Sequence, residues 1–139
     1  MQAEPPPTTD QFKAALGPNL PSATSVLFTV NVLPSADSAE VNYAINPLTV
    51  RFTQGSDGKL LADLDCAILE FDAKGKVLEK SLIRLSETTG PNQPLPSPAT
   101  ALNAKQTIAL KSGATILVVG VRDGATGLFG TLEVSIPVH

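Results

Sequence analysis

Disulfides, tryptophan and an internal histidine are all missing from this chain. Among 139 residues there is one cysteine, Cys66, no tryptophan, and one histidine, His139, which is the last residue. A lone cysteine closes no intramolecular disulfide, which excludes the small disulfide-framed secreted domains. The fold must therefore rest on a hydrophobic core, and a domain of this size buries about 68–70% of its unfolded surface without help from a metal or staple. A serine, threonine or cysteine nucleophile would lack an imidazole base, and no G-x-S-x-G motif occurs. Nothing here reads as an enzyme. Positive charge is also scarce: ten basic residues face thirteen acidic ones, for a net charge of −3. That balance excludes a nucleic-acid binder or a polybasic membrane clamp.

Long apolar runs are missing as well. The richest stretch, Ala114 to Val121, includes Thr115 and Gly120. It is strand-sized, far short of the ~20 residues of a bilayer-spanning helix. The first ten residues, MQAEPPPTTD, have neither the basic nor the apolar segment of a signal peptide. This opening suits a segment of a longer exported protein as well as a natural start.

What is present is organised in two parts. Residues 1–23 carry five prolines around one short helical possibility, Thr9 to Leu16, with Asp10 as its cap and Gly17-Pro18 as its stop. They read as an arm or linker. If the arm packs, Phe12 and Leu16 are its anchors, and truncation to Ser22 lowers the melting temperature by several degrees, as a loss of about 1–3 kcal/mol requires.

From residue 24 to 139 the period is two. Val26, Phe28, Val30 and Val32 alternate with polar residues, and so do Leu48, Val50 and Phe52. Gly55-Ser-Asp-Gly58 is a turn. A long strand runs from Lys59 to Phe71 and becomes apolar on both faces at Ala67, through either a bulge near Cys66 or burial beneath a neighbouring loop. Asp72-Ala-Lys-Gly75 is a tight hairpin turn with Gly75 left-handed, and the return strand is Lys76 to Leu85. Four prolines between Gly90 and Pro98 exclude a central strand and predict a loop crossing between sheets. Strands follow at Gln106–Lys111, Ala114–Arg122 and Leu128–Val138. About seven strands with no helix of ordinary length predict an all-β fold: an immunoglobulin- or fibronectin III-like antiparallel β-sandwich with an N-terminal Pro-rich arm.

Two hairpins carry a family resemblance. The first is Leu69-Glu-Phe-Asp-Ala-Lys-Gly75-Lys-Val77. The second comprises Leu110-Lys-Ser-Gly113, the strand ending Val119-Gly-Val-Arg-Asp123, the loop Ala125-Thr-Gly127, Gly130, and a last strand ending Ile136-Pro-Val138. Together they resemble the region that follows the von Willebrand factor A domain in bacterial VWFA-related proteins. The resemblance spans residues 24–138 and implies an accessory sandwich of a secreted or cell-envelope protein, periplasmic or extracellular. The A domain's D-x-S-x-S motif is absent, so its metal-dependent binding does not transfer, and the loop 90–98 departs from the family spacing.

Candidate binding residues are few. Asp57, Asp63, Asp65, Asp72 and Asp123 are the possible calcium ligands, but Ala67 and Ile68 follow Asp63-x-Asp65 where an EF-hand needs an oxygen donor and a glycine. Solvated strand charges and turn-forming aspartates are the simpler reading, and no metal or other cofactor is assigned. Tyr43 is the single platform on which a sugar could stack. Gly124-x-x-Gly127-x-x-Gly130 precedes a strand, so it is a hairpin and not a phosphate loop. Pro91-x-x-Pro94 lacks a flanking arginine and stiffens a loop. No N-x-S/T sequon occurs. Cys66 is a buried, inert thiol. The expectation is a non-catalytic spacer or protein-interaction module that binds an unidentified protein through loops or a sheet edge. The residues to watch are Tyr43, Asp57, Asp123 and Thr126, and a glycan- or calcium-binding module is the alternative.

Overall fold

The computed structural model describes residues 12, 14–17, 23–54, 60–89 and 102–136. Eight strands are present among them: β1 (Phe28–Pro34), β2 (Ser38–Ile45), β3 (Thr53–Gln54), β4 (Leu60–Asp72), β5 (Val77–Thr89), β6 (Leu102–Ala109), β7 (Ala114–Asp123) and β8 (Phe129–Ser135). They form two antiparallel sheets in a sandwich-like arrangement. The first has the order β1-β2-β6. In the second, β4 pairs with β5 on one edge and with β7 on the other, β8 follows β7, and the two-residue β3 continues the β7 edge.

The alternation in the sequence decides which side chains meet between the sheets. Ala39, Val41, Tyr43 and Ile45 of β2 face Ala62, Leu64, Cys66 and Ile68 of β4 and Leu117, Val119 and Val121 of β7 across one core. β7 has no polar face because its other side is covered too. There, Phe12 and Leu16 pack against Ala67, Phe71 and Val118. The same contact explains the doubly apolar part of β4. Its pairing with β5 runs without interruption past Cys66, and irregularities come only at Glu70/Phe71 and Phe71/Asp72. Burial beneath a neighbouring segment is therefore the cause, and there is no bulge at Cys66.

The turns are built as their residues dictate. Asp72 Oδ1 accepts from the N–H groups of Lys74 (2.8 Å) and Lys76 (2.9 Å), and Gly75 takes φ 82°. Those backbone donors, Lys76 foremost, hold the Asp72 carboxyl below its ordinary pKa.

Residues 48–52 do not form the expected strand, and of that run only Thr53 joins one, the two-residue β3. Pro47 cannot donate to a ladder, Asn46 Oδ1 accepts from Leu48 N at 3.0 Å, and the chain makes a single 3-10 turn, Pro47–Thr49. The strand in this region is instead β2, whose buried residues alternate from Ala39 to Ile45. The first predicted strand also divides. Thr24 bridges to Gly130 of β8, whereas Phe28–Pro34 pairs with β2 in the other sheet. The turn 55–58 and the loop 90–98 lie outside the described residues, although Thr89 and Leu102 on either side of that loop do belong to different sheets.

Candidate functional site

Asp123 ends β7 and is 1% exposed. Its Oδ2 accepts from Arg51 N (2.8 Å) and its Oδ1 from Ala125 N (2.9 Å), while its carbonyl accepts from Gly127 N (2.8 Å). Thr126 Oγ1 accepts from Leu128 N at 3.1 Å. Both Asp123 oxygens and the Thr126 hydroxyl oxygen accept from backbone and so hold the shape of the loop. Asp57 lies outside the described residues, and among the described residues no group of three metal-ligating side chains converges. Asp63 Oδ1 accepts from Ser86 Oγ at 2.6 Å.

Tyr43 is no sugar platform either, being 2% exposed. Odd positions of β2 point into the core, so its ring sits between the sheets. Its hydroxyl donates to Gln106 Oε1 at 2.6 Å, and Gln106 Nε2 donates to Ser81 Oγ (3.0 Å) and to the Cys66 carbonyl (3.3 Å). This network stitches β2 and β6 to β4 and β5. Burial raises the Tyr43 pKa and pushes the Cys66 thiol up to about 12, with the charge of Asp65 a lesser cause for Cys66. Neither group titrates near neutrality. Tyr43→Phe leaves Gln106 Oε1 buried without its donor, and a loss of about 1–3 kcal/mol is expected in urea denaturation. Tyr43→Phe combined with Gln106→Met removes both partners and is expected to recover part of that loss.

Glu70, 0% exposed, is a buried carboxylate that sequence reading passed over. Its Oε1 accepts from Lys111 N at 2.7 Å, while Oε2 is buried without a partner among the described residues. Burial raises its pKa above the ordinary glutamate value, with Glu79 adding to the rise and the Lys111 N–H opposing it. In the unfolded chain Glu70 ionises at the lower, ordinary value. Folding stability is then fullest below that value and declines as pH climbs through the raised one. Glu70→Gln keeps an acceptor for Lys111 N and cannot ionise. Melts from about pH 4 to about pH 8 are expected to show the variant gaining on the parent as pH rises; a variant that falls behind at the alkaline end would mean that the carboxylate is usefully paired.

The outer face of the second sheet carries the least ordinary surface. A row of paired positions crosses it from Thr131 through Gly120 and Ala67 to Leu82. Phe12 and Leu16 cover Gly120, where a Cβ would lie 2.8 Å from Phe12 Cε1 and 2.6 Å from Leu16 Cδ2. The cover stops short of Leu82, which is 69% exposed. Between them lies a groove of about 690 Å³, floored by Ala67, Leu69 and Leu82 and rimmed by Lys80, Arg84 and Arg122. The one rim carboxylate among the described residues, Asp65, is shared: Oδ1 with Arg84 Nε and Oδ2 with Arg122 Nη1, each at 3.3 Å. Three cations against one carboxylate make the groove positive in a chain of net charge −3. The sequence signal was Lys80-Ser-Leu82-Ile-Arg84, with an apolar residue between two cations in the solvent phase of a strand.

No protein-family model and no curated protein matches this chain. Its fold class is all-β, with two antiparallel sheets. Among solved structures it is similar to a hypothetical protein, PH1083, from Pyrococcus horikoshii OT3, at 12% identity and a TM-score of 0.40, covering 80% of this chain and 88% of that one. Among the described residues no helix is long and apolar enough to cross a membrane.

Proposed function

We propose that this chain is a non-catalytic sandwich of immunoglobulin or fibronectin III type, serving as a spacer or protein-interaction module of a larger exported bacterial protein. The resemblance of its two hairpins to VWFA-related proteins supports the setting. The strand order supports the type. With β1, β2, β4, β5, β6, β7 and β8 lettered A, B, C, C′, E, F and G, and the two-residue β3 left unlettered, the sheets read A-B-E and C′-C-F-G. An immunoglobulin constant domain reads A-B-E-D and C-F-G; here the fourth long strand lies in the other sheet and the short β3 is added beside β4.

The observation that carries the interaction reading is the free edge of β5. Over 13 residues β5 pairs only with β4, and among the described residues its outer edge has no ladder partner. Gln106 reaches it at Ser81 through a side chain alone. A strand edge of this length offers a row of backbone donors and acceptors to an incoming segment. The test is an unbiased selection of displayed random peptides on the full chain, followed by amide hydrogen exchange of each complex. Binders are expected to slow exchange within residues 77–89. A selection that enriches nothing, or binders that protect only other regions, would overturn the reading.

A further inference from the structure

The outer edge of β5 has a chemistry as well as a shape, and from it we infer the partner: an extended segment with an acidic–x–apolar–x–acidic pattern, added as a strand beside Lys80, Leu82 and Arg84. This rests on the edge-binding reading above and deepens it. Alternate residues of a strand share a face, so these three side chains project to the groove side, with Lys80 and Arg84 about 14 Å apart and Leu82 midway. An added strand repeats that spacing. Its residue opposite Leu82 extends the apolar row that already runs through Ala67, and the residues two before and two after it stand opposite Lys80 and Arg84.

Three observations set the sign of the charge. Lys80 makes no ion pair among the described residues. Arg84 is 75% exposed and meets Asp65 only through Nε, and Asp65 divides its charge with Arg122. The edge is therefore under-neutralised, and carboxylates directly opposite would complete it. A second copy of the chain fits poorly: antiparallel pairing of two β5 strands about Leu82 sets each Lys80 against the other copy's Arg84. Like charges opposite one another are unfavourable, and cations on an edge are a common guard against self-pairing.

The test is fluorescence anisotropy with the full chain and two labelled, capped heptapeptides, Thr-Glu-Thr-Val-Thr-Glu-Thr and the same peptide with lysine for both glutamates. The acidic peptide is expected to bind about tenfold more tightly, the order that two exposed cross-strand pairs turned from repulsion to attraction supply, and added salt is expected to weaken it. Lys80→Glu with Arg84→Glu is expected to reverse the preference. Lys80→Gln with Arg84→Gln, which spares Asp65 a new neighbouring carboxylate, is expected to erase it. Equal binding of the two peptides, a preference that both double variants leave intact, or no binding of either peptide at about millimolar concentration (a Kd near the weak limit of useful affinity) would overturn the inference. The broader reading is judged separately. If selected peptides protect residues 77–89 but lack acidic flanks, the edge binds and only the charge pattern is wrong. If none protects that strand, both fail.

Discussion

Replacing Phe12 and Leu16 together with alanine is expected to lower the melting temperature on the order of 10–20 °C. Each side chain is 3% exposed, and buried Phe→Ala and Leu→Ala changes cost about 3–5 and 2–5 kcal/mol. The two share a pocket over Gly120, so their effects overlap and a joint loss of about 4–6 kcal/mol is expected. Their burial against Ala67, Phe71 and Val118, with the Phe12 ring 5.3 Å from that of Phe129, raises the expectation above the several degrees that the sequence pattern supported. Truncation to Ser22 should act in the same direction. Gly120→Val supplies an independent check, because its new atoms strike Leu16 and Phe12 rather than backbone. In the full chain it is expected to mimic truncation. In the truncated chain it should cost almost nothing, since valine suits an open strand position. Equal cost in both backgrounds, or melting points unchanged by the alanine pair, would mean that residues 1–23 are a linker.

Gly130→Ala is expected to cost about 2–4 kcal/mol through a clash with backbone. A Cβ at this position runs into the carbonyl oxygen of Val26, and that segment cannot retreat freely. Val26 N donates to the Phe129 carbonyl (3.4 Å), Thr131 N to the Ala23 carbonyl (3.0 Å), and Ala23 N to Thr131 Oγ1 (2.9 Å). Gly113→Ala is the control. Among the described residues no atom lies within 4 Å of a Cβ there, and its φ of 91° is what opposes substitution, for about 1–2 kcal/mol. Urea denaturation of both variants separates the two mechanisms. If Gly130→Ala proves no worse than Gly113→Ala, the bridge between residue 24 and β8 contributes little.

Much of the fold was legible where local chemistry and pattern agree. The Asp72–Gly75 turn, the alternation of β4 and the continuous apolar run of β7 each follow from residues within a few positions of one another. The strand error at residues 48–52 has a local cause that could have been read: Asn46-Pro47 is a cap followed by a residue that cannot donate, and it overrides two-residue periodicity. β2 carried the same periodicity in Ala39, Val41, Tyr43 and Ile45, but alternation does not tell which of two neighbouring segments is the strand. The candidate site fared worse. Thr126 falls in the turn that the sequence indicates and Asp123 closes the strand just before it, yet whether a carboxylate beside a loop faces a ligand or backbone depends on donors such as Arg51 N, 72 residues away in sequence.

By itself the sequence determined that this chain is all-β, that its fold rests on a hydrophobic core, that no disulfide holds it, and where the Asp72–Gly75 turn falls. These depend on composition and on spacing within single strands. Tertiary structure alone decided that Tyr43 is interior, that Glu70 is buried near a strand end, that Gly120 and Gly130 are points of close approach, and that Leu82 is exposed between two cations on an edge without a ladder partner among the described residues. Each of those depends on which distant segment lies against a given strand face, and a period of two says only that a face exists, not what covers it.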